Sequence, residues 1–197
     1  MYPPPYHQSH DKQKMIAVMK AYPFAMLVSV NDGLPLVTHI PIIYSEKSGK
    51  LVAHIDKFNP QVATLVNGAE VTVVFKGPDV YISPSVYSTK QLPTWNYIIV
   101  HIKGVINLIN DPSDAKDTMI AMTAFLEGED PKFVLEKDNR AMKRAVNYIQ
   151  AFDITITDWE GKFKLSQDKI IKDQENAKEE LIKSTQRDIS DFIEEIY

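Results

Sequence analysis

The side chains best suited to chemistry in this chain gather in three polar clusters, each at the edge of an apolar run. In the first, Thr38 and His39, followed by Ile40 and Pro41, set a hydroxyl and an imidazole inside a β-rich stretch. In the second, His54, Ile55, Asp56, Lys57, Asn59 and Gln61 lead from an apolar run into a helical turn opened by Pro60. A strand end that opens onto a helix start presents backbone N–H groups and a positive dipole end, which suits a phosphate. Lys57 and the Asn59 amide add donors there, while a helix cap with incidental polar neighbours is the competing reading. The third cluster is Trp159-Glu160-Gly161-Lys162-Phe163-Lys164-Leu165-Ser166-Gln167. On a strand, Lys162, Lys164 and Ser166 share one side and Phe163 and Leu165 the other. Such a cationic row fits an anionic ligand, or equally the solvent side of an edge strand where lysine discourages pairing. Trp95, Asn96 and Tyr97 put two rings around an amide at the mouth of a long strand. That trio can pack a planar ring and bond its rim, or anchor a core.

The histidines carry less. His7 and His10 stand in a Pro-rich terminus with Asp11 as the only nearby carboxylate, and read as solvated. His39, His54 and His101 fall on three separate strands, which a sheet can bring together. They read as core or cavity-edge imidazoles, with metal ligation the alternative, and no metal site is predicted. No catalytic acid or base stands out; Tyr87, His101 and Trp95 are candidates to line a bound ring. The dinucleotide, P-loop, zincin and nucleophile-elbow motifs are all missing. Cysteine is absent, which excludes disulfides and thiolate catalysis and makes a cytoplasmic location the expectation.

These clusters must be positioned by a mostly β framework. Residues 11–21 show helical spacing, with Met15, Val18, Met19 and Tyr22 on one side and Pro23 ending the run. Residues 25–30 and 36–44, joined through Asn31-Asp32-Gly33, predict a hairpin, and 51–55 a third strand. Residues 60–67 predict a short helix, and 70–75 a strand broken by Gly77-Pro78 and resumed at 80–83. A loop spans 83–93, and 95–109 is the longest strand candidate. Helices are expected from Asp111 to about Leu126 and from about Pro131 or Phe133 to Ile149, the second carrying Met142, Ala145 and Val146. Residues 152–157 alternate strictly, with Phe152, Ile154 and Ile156 on the buried side. Trp159-Glu160-Gly161 then predicts a turn into residues 162–166. The last 25 residues predict one amphipathic helix with Leu181, Ile182, Ile189, Phe192, Ile193 and Ile196 facing inward.

About six antiparallel strands with interspersed helices predict a mainly β, α+β fold closed as a barrel. Apolar residues make up 44% of the chain, enough for one sizeable core. No apolar run approaches the roughly 18 residues of a membrane span, and no signal peptide is recognisable. The net charge of −4 and the lack of a helix-turn-helix pattern argue against direct DNA binding, which relies on a basic field.

The segments Thr38-His39-Ile40-Pro41, Asn59-Pro60-Gln61, Phe75-Lys76-Gly77-Pro78, residues 81–87, residues 93–97 and residues 160–167, with the opening Met1-Tyr2-x-Pro4, resemble the signature blocks of the PaiB family. Its members are described as FMN-binding negative transcriptional regulators. Departures occur at Asp79, Val86 and Asp168, where the family commonly has His, Trp and Asn. The resemblance implies an FMN-binding split β-barrel, a Greek-key antiparallel barrel decorated by helices. It covers residues 1–168, with residues 169–197 as a C-terminal amphipathic helix packed on the same domain. It further implies a homodimer with FMN in a cleft between subunits, a regulatory role, and, if the protein is an enzyme, an FMN-dependent oxidoreductase. Haem is the alternative cofactor, and a regulatory protein without cofactor the alternative function. Residues 38–41 and 54–61 would hold the phosphate and ribityl chain. Trp159 and Lys164 resemble late aromatic and basic residues that related oxidases contribute from the other chain. Trp95, Asn96 and Lys162 complete the predicted cofactor set.

Overall fold

Residues 4–196 are described by the structure, a computed structural model; Met1 and Tyr2 of the family-like opening and the terminal Tyr197 lie outside the described residues. Helix α1 (Lys12–Ala21) is capped by Asp11, whose Oδ1 accepts from the N–H groups of Gln13 and Lys14 at 3.0 and 3.3 Å. Met15, Val18 and Met19 form its buried stripe, while Tyr22 stays partly exposed at the C-cap. Strands β2 (Phe24–Asn31) and β3 (Leu34–Ser45) make the expected hairpin. Its turn residues Asp32 and Gly33 both hold positive φ, 50° and 79°, as a tight hairpin between twisted strands requires.

Strand β4 (Lys50–Asp56) extends the meander, and a 3-10 turn, Pro60–Thr64, then carries the chain across to β5 (Glu70–Ile82) beside β2. That return is a Greek-key connection. Strand β6 (Thr94–Ile109) pairs with β5, and β7 (Ile149–Lys164) pairs with β6 on one edge and β4 on the other. Six antiparallel strands thus close in the order β4-β3-β2-β5-β6-β7, and the two-residue β1 (Gln8–Ser9) joins β7 at Gly161 and Lys162. Leu27, Ile42, Leu51, Phe75, Ile102, Phe152 and Ile154 fill the barrel together with Met15 and Met19. Helix α2 (Pro112–Glu127) packs on β4 and β7, followed by α3 (Arg140–Ala145), α4 (Ile171–Ser184) against β5, and α5 (Ser190–Ile196).

Local hydrogen bonding explains where the elements differ from the expectation. The helix expected across 131–149 shrinks to α3 and a 3-10 turn, Val146–Tyr148. The Glu127 carboxylate accepts from the N–H groups of Lys132 and Phe133 at 3.0 and 3.2 Å, which holds that stretch as a loop. Asn139 then caps α3 by accepting from Ala141 and Met142. No turn forms at Trp159-Glu160-Gly161: β7 runs straight through, paired to β6, with a bulge where Lys103 faces Asp158 but Gly104 faces Ile156. Gly77-Pro78 is likewise absorbed as a bulge within β5. The helix expected over 60–67 stops at Thr64 as a 3-10 turn. The C-terminal helix breaks after Ser184, because Asp188 accepts from both the N–H and the hydroxyl of Ser190 and starts α5 afresh. Leu181 is buried as expected, but Ile182, Ile189, Phe192, Ile193 and Ile196 are exposed.

Candidate functional site

The predicted phosphate corner is built chiefly as a plug. Gln61 is 2% exposed, and its Nε2 donates to Leu27 O, Ser29 Oγ and Leu36 O at 3.0–3.1 Å. Ser29 and Thr64 share a 2.6 Å hydroxyl contact. Asn59 caps the 3-10 turn through Gln61 N–H at 2.9 Å and donates its amide to Thr38 Oγ1 at 3.1 Å. Thr38, Asn59 and Gln61 therefore pin the crossing segment into the barrel end, in accord with the capping reading. Ile55 is buried and Ile40 packs partly against the core. Exposed Lys57 donates to Asn147 O at 3.0 Å. Two polar atoms here remain buried without a hydrogen-bond partner, Gln61 Oε1 and His54 Nδ1. His54 lies opposite Ala151, which packs with Ala115 of α2. Burial depresses its pKa and favours the neutral imidazole.

A second set lies on the outward side of the sheet. Register places His39, Met26, Val74, His101 and Glu160 in one row across β3, β2, β5, β6 and β7. Cross-strand partners point to the same side, so these side chains form a band. Phe24, Val30 and Val37 continue it as large exposed apolar groups, and Phe24 stacks on His39 with centroids 6.1 Å apart. His101 Nδ1 lies 3.9 Å from Glu160 Oε2. Burial depresses the His101 pKa while the Glu160 charge opposes the shift. His39 and His101 are separated by two intervening strands, about 14 Å, so the three strand histidines do not converge. Among the described residues no cluster of three metal-ligating side chains occurs.

A third set gathers where the start of β6 meets the end of β7. Lys164 Nζ donates to Thr94 Oγ1 at 2.5 Å, and the buried Asn96 and Ser166 side chains are 3.0 Å apart. Tyr87 is buried, its hydroxyl 2.8 Å from Ser166 Oγ, so it braces this corner. Ser166 holds a left-handed backbone, φ 63°. Thr94, Asn96, Lys164 and Ser166, with His7, Asp168 and Lys169, line a cavity of about 400 Å³. Lys162 lies over the Tyr97 ring at 5.3 Å. Trp95 is half exposed, and its indole N–H donates to Asp79 Oδ1 at 3.0 Å. Trp159 instead packs on the core, edge-on to Tyr44 at 6.0 Å with Lys12 over its ring at 5.6 Å.

The structure thus places the fourteen predicted cofactor residues in separate regions. The β3–β4 group and the β6–β7 group sit toward opposite ends of β7, whose first half pairs with β4 and whose last residues pair with the start of β6. Phe24, Met26 and Val74 went unrecognised, since an apolar residue on an outward face has the same sequence signal as one in the core. His7, expected to be solvated, is 6% exposed because the 3-10 turn Pro5–His7 folds it against this corner, and Ser166 reads in the sequence only within its own strand.

Sequence comparison matches residues 1–158 to the family described as "Putative FMN-binding domain". The Bacillus subtilis (strain 168) protein named Protease synthase and sporulation protein PAI 2 is 28% identical over 184 residues, covering 92% of this chain and 89% of that one. Among solved structures, the FAD and heme binding protein from Mycobacterium smegmatis superposes with a TM-score of 0.64 at 20% identity, over 80% of this chain and 73% of the other. The flavocytochrome Anf3 from Azotobacter vinelandii gives 0.59 at 16% identity, over 80% and 69%. These two establish the shared fold, the split β-barrel.

Proposed function

This chain belongs to the FMN-binding domain family that its residues 1–158 match, and from that membership we propose that it works as a homodimer with FMN held against the outward band of the barrel. The observation that carries the reading is the row His39–Met26–Val74–His101–Glu160, flanked by exposed Phe24 and Val37. FMN brings a flat ring, a hydroxylated chain and a phosphate, and the residues present fit all three. The Phe24–His39 stack and its apolar neighbours suit a ring. The unpartnered His54 Nδ1, on the outward side of β4, is a polar group that a chain hydroxyl would satisfy. Lys57 and Lys164 supply ammonium groups for a phosphate.

The two halves of this set are too far apart along β7 to serve one ligand within a protomer. A second copy facing the band resolves this, since it brings Lys164 and Trp95 of one chain toward residues 38–61 of the other. When bound, FMN supplies the redox chemistry; the protein's own groups hold, orient and desolvate it. We assign no catalytic residue, and the preferred activity is a flavin-dependent oxidoreduction. Any effect on transcription is then indirect, consistent with a net charge of −4.

The test is the visible spectrum of the freshly purified protein, followed by titration with FMN, riboflavin and haemin. Saturable FMN binding, about tenfold or more tighter than riboflavin if the phosphate meets an ammonium group, supports the reading. Absence of flavin binding by a folded protein overturns it. Haem is the second reading, favoured by His101: its burial favours the neutral imidazole that ligates iron. A Soret band on haemin addition, lost in His101→Ala, would select it.

A further inference from the structure

The cavity at the β6–β7 end carries an inference that stands apart from where the flavin ring lies. We propose that it is a built receptor for a phosphate or carboxylate group, with Lys164 as its charge and Thr94, Ser166, Asn96 and His7 around it.

The charges leave one cation uncompensated. Lys169 is neutralised by Asp168, 2.7 Å away. Lys164, also lining the cavity, has only the neutral Thr94 hydroxyl, and no carboxylate lies within ion-pair distance among the described residues. A partly buried ammonium without a counter-charge is unfavourable, and an anion entering the cavity supplies what the chain omits.

The lining is made of fixed donors. Ser166 Oγ is held between Tyr87 and Asn96, at 2.8 and 3.0 Å, by a backbone in the left-handed region that a serine rarely adopts. Such backbones persist where the surroundings impose them, and they cluster at ligand sites. His7 is 6% exposed, it lines the same cavity, and its Nε2 has no hydrogen-bond partner. Burial depresses its pKa and the ammonium groups of Lys164, Lys162 and Lys169 press the same way, against Asp168. The imidazole is therefore neutral at neutral pH, and an anion beside it would shift its titration upward. A second cavity, about 500 Å³ and mostly apolar, lies under α4 and shares Asn96 with this one.

The test titrates inorganic phosphate into the full chain while NMR follows the His7 imidazole and the Lys164 ammonium. Saturable shifts are expected, with an upward move of the His7 titration. Lys164→Gln and Thr94→Val, each checked for fold by circular dichroism, should weaken phosphate about tenfold or more, while Lys164→Arg retains it. Repeating the titration with FMN and with riboflavin identifies the source of the group. Displacement of phosphate by FMN alone assigns the cavity to the flavin's own phosphate, and simultaneous binding assigns it to a second, anionic ligand. Both outcomes support the receptor. No saturable shift, or equal shifts in Lys164→Gln, overturns it. Because phosphate is read directly, failure of FMN to bind would remove the flavin reading and leave this one standing.

Discussion

At the scale of single residues, similar polar groups divide into those that hold the chain and those left free for a ligand. Gln61 belongs to the first kind, since all its amide hydrogen bonds go to strand atoms. Gln61→Leu removes the amide donor that Leu27 O, Ser29 Oγ and Leu36 O share, and losing a buried hydrogen bond costs about 1–3 kcal/mol. A lower urea midpoint with the barrel's circular dichroism intact is the expected result. Titration gives a second expectation. Burial is the first cause in depressing the pKa of His7, His54 and His101. The unfolded chain therefore binds protons first as pH drops below the ordinary imidazole value of about 6.5. Stability is full above that value and is lost as pH falls through the folded-state values. The thermal midpoint should decline between pH 7 and 5, and His54→Gln should flatten the decline, as read by calorimetry.

At the scale of elements, two joints decide how the site is held. Gly104 sits at the β6–β7 bulge, where an added Cβ would come 2.4 Å from Ile154 Cγ2 and 2.7 Å from Thr155 O. The backbone oxygen cannot give way as a side chain can. Gly104→Ala should therefore cost at least the roughly 1–3 kcal/mol of an overpacked core, measured by denaturant unfolding. The other joint is α4. Asp173 on α4 is fully buried, accepting from Ser88 N–H and hydroxyl at 2.6 and 2.7 Å and from the Thr89 hydroxyl at 2.5 Å. Burial pushes its carboxyl up, but the bonds from Thr89 and Ser88 outweigh this and hold it below the ordinary carboxylate value. Asn176 donates to Val86 O at 2.8 Å on the same loop. We propose that residues 169–184 are an integral part of the barrel domain that fixes the loop bearing Tyr87. Asp173→Ala should speed amide exchange across residues 83–93 while leaving β2 and β3 protected, a pattern hydrogen-exchange mass spectrometry resolves.

At the scale of the whole molecule, the outward band of β2 and β3 is too apolar to be explained by the fold of one chain. Phe24, Val30 and Val37 are 66%, 63% and 49% exposed on this one face of the hairpin, and a contiguous apolar patch of that kind marks an interaction surface. The proposed homodimer covers it. Val37→Asp, at a partly exposed position on this face, should leave the fold intact and shift the mass seen by light scattering toward the monomer. FMN affinity should fall with it if the cleft needs two chains. A monomeric parent protein would remove the basis of the dimer proposal.

Much of the local order is written in the sequence. The stripe Met15–Val18–Met19, the Asp32-Gly33 turn and the alternation Phe152–Ile154–Ile156 each signal an element through its own periodicity or backbone demand. The ordered family-like blocks announced the split barrel and its cofactor. The turn expected at Trp159-Glu160-Gly161 failed for a definite reason: whether a glycine bends the chain or stays in a strand depends on a partner strand far away in sequence. The uses of the polar groups had the same origin. Asn59 and Gln61 stood in the predicted cofactor set until the barrel closed around them, and Lys164 allowed a solvated edge or an anion contact equally until His7, Thr94 and Ser166 came to surround it. Periodicity along a chain records which side of a strand is buried. Only the closed sheet, by fixing register between strands distant in sequence such as β6 and β7, decides which polar groups satisfy one another and which are left for a ligand.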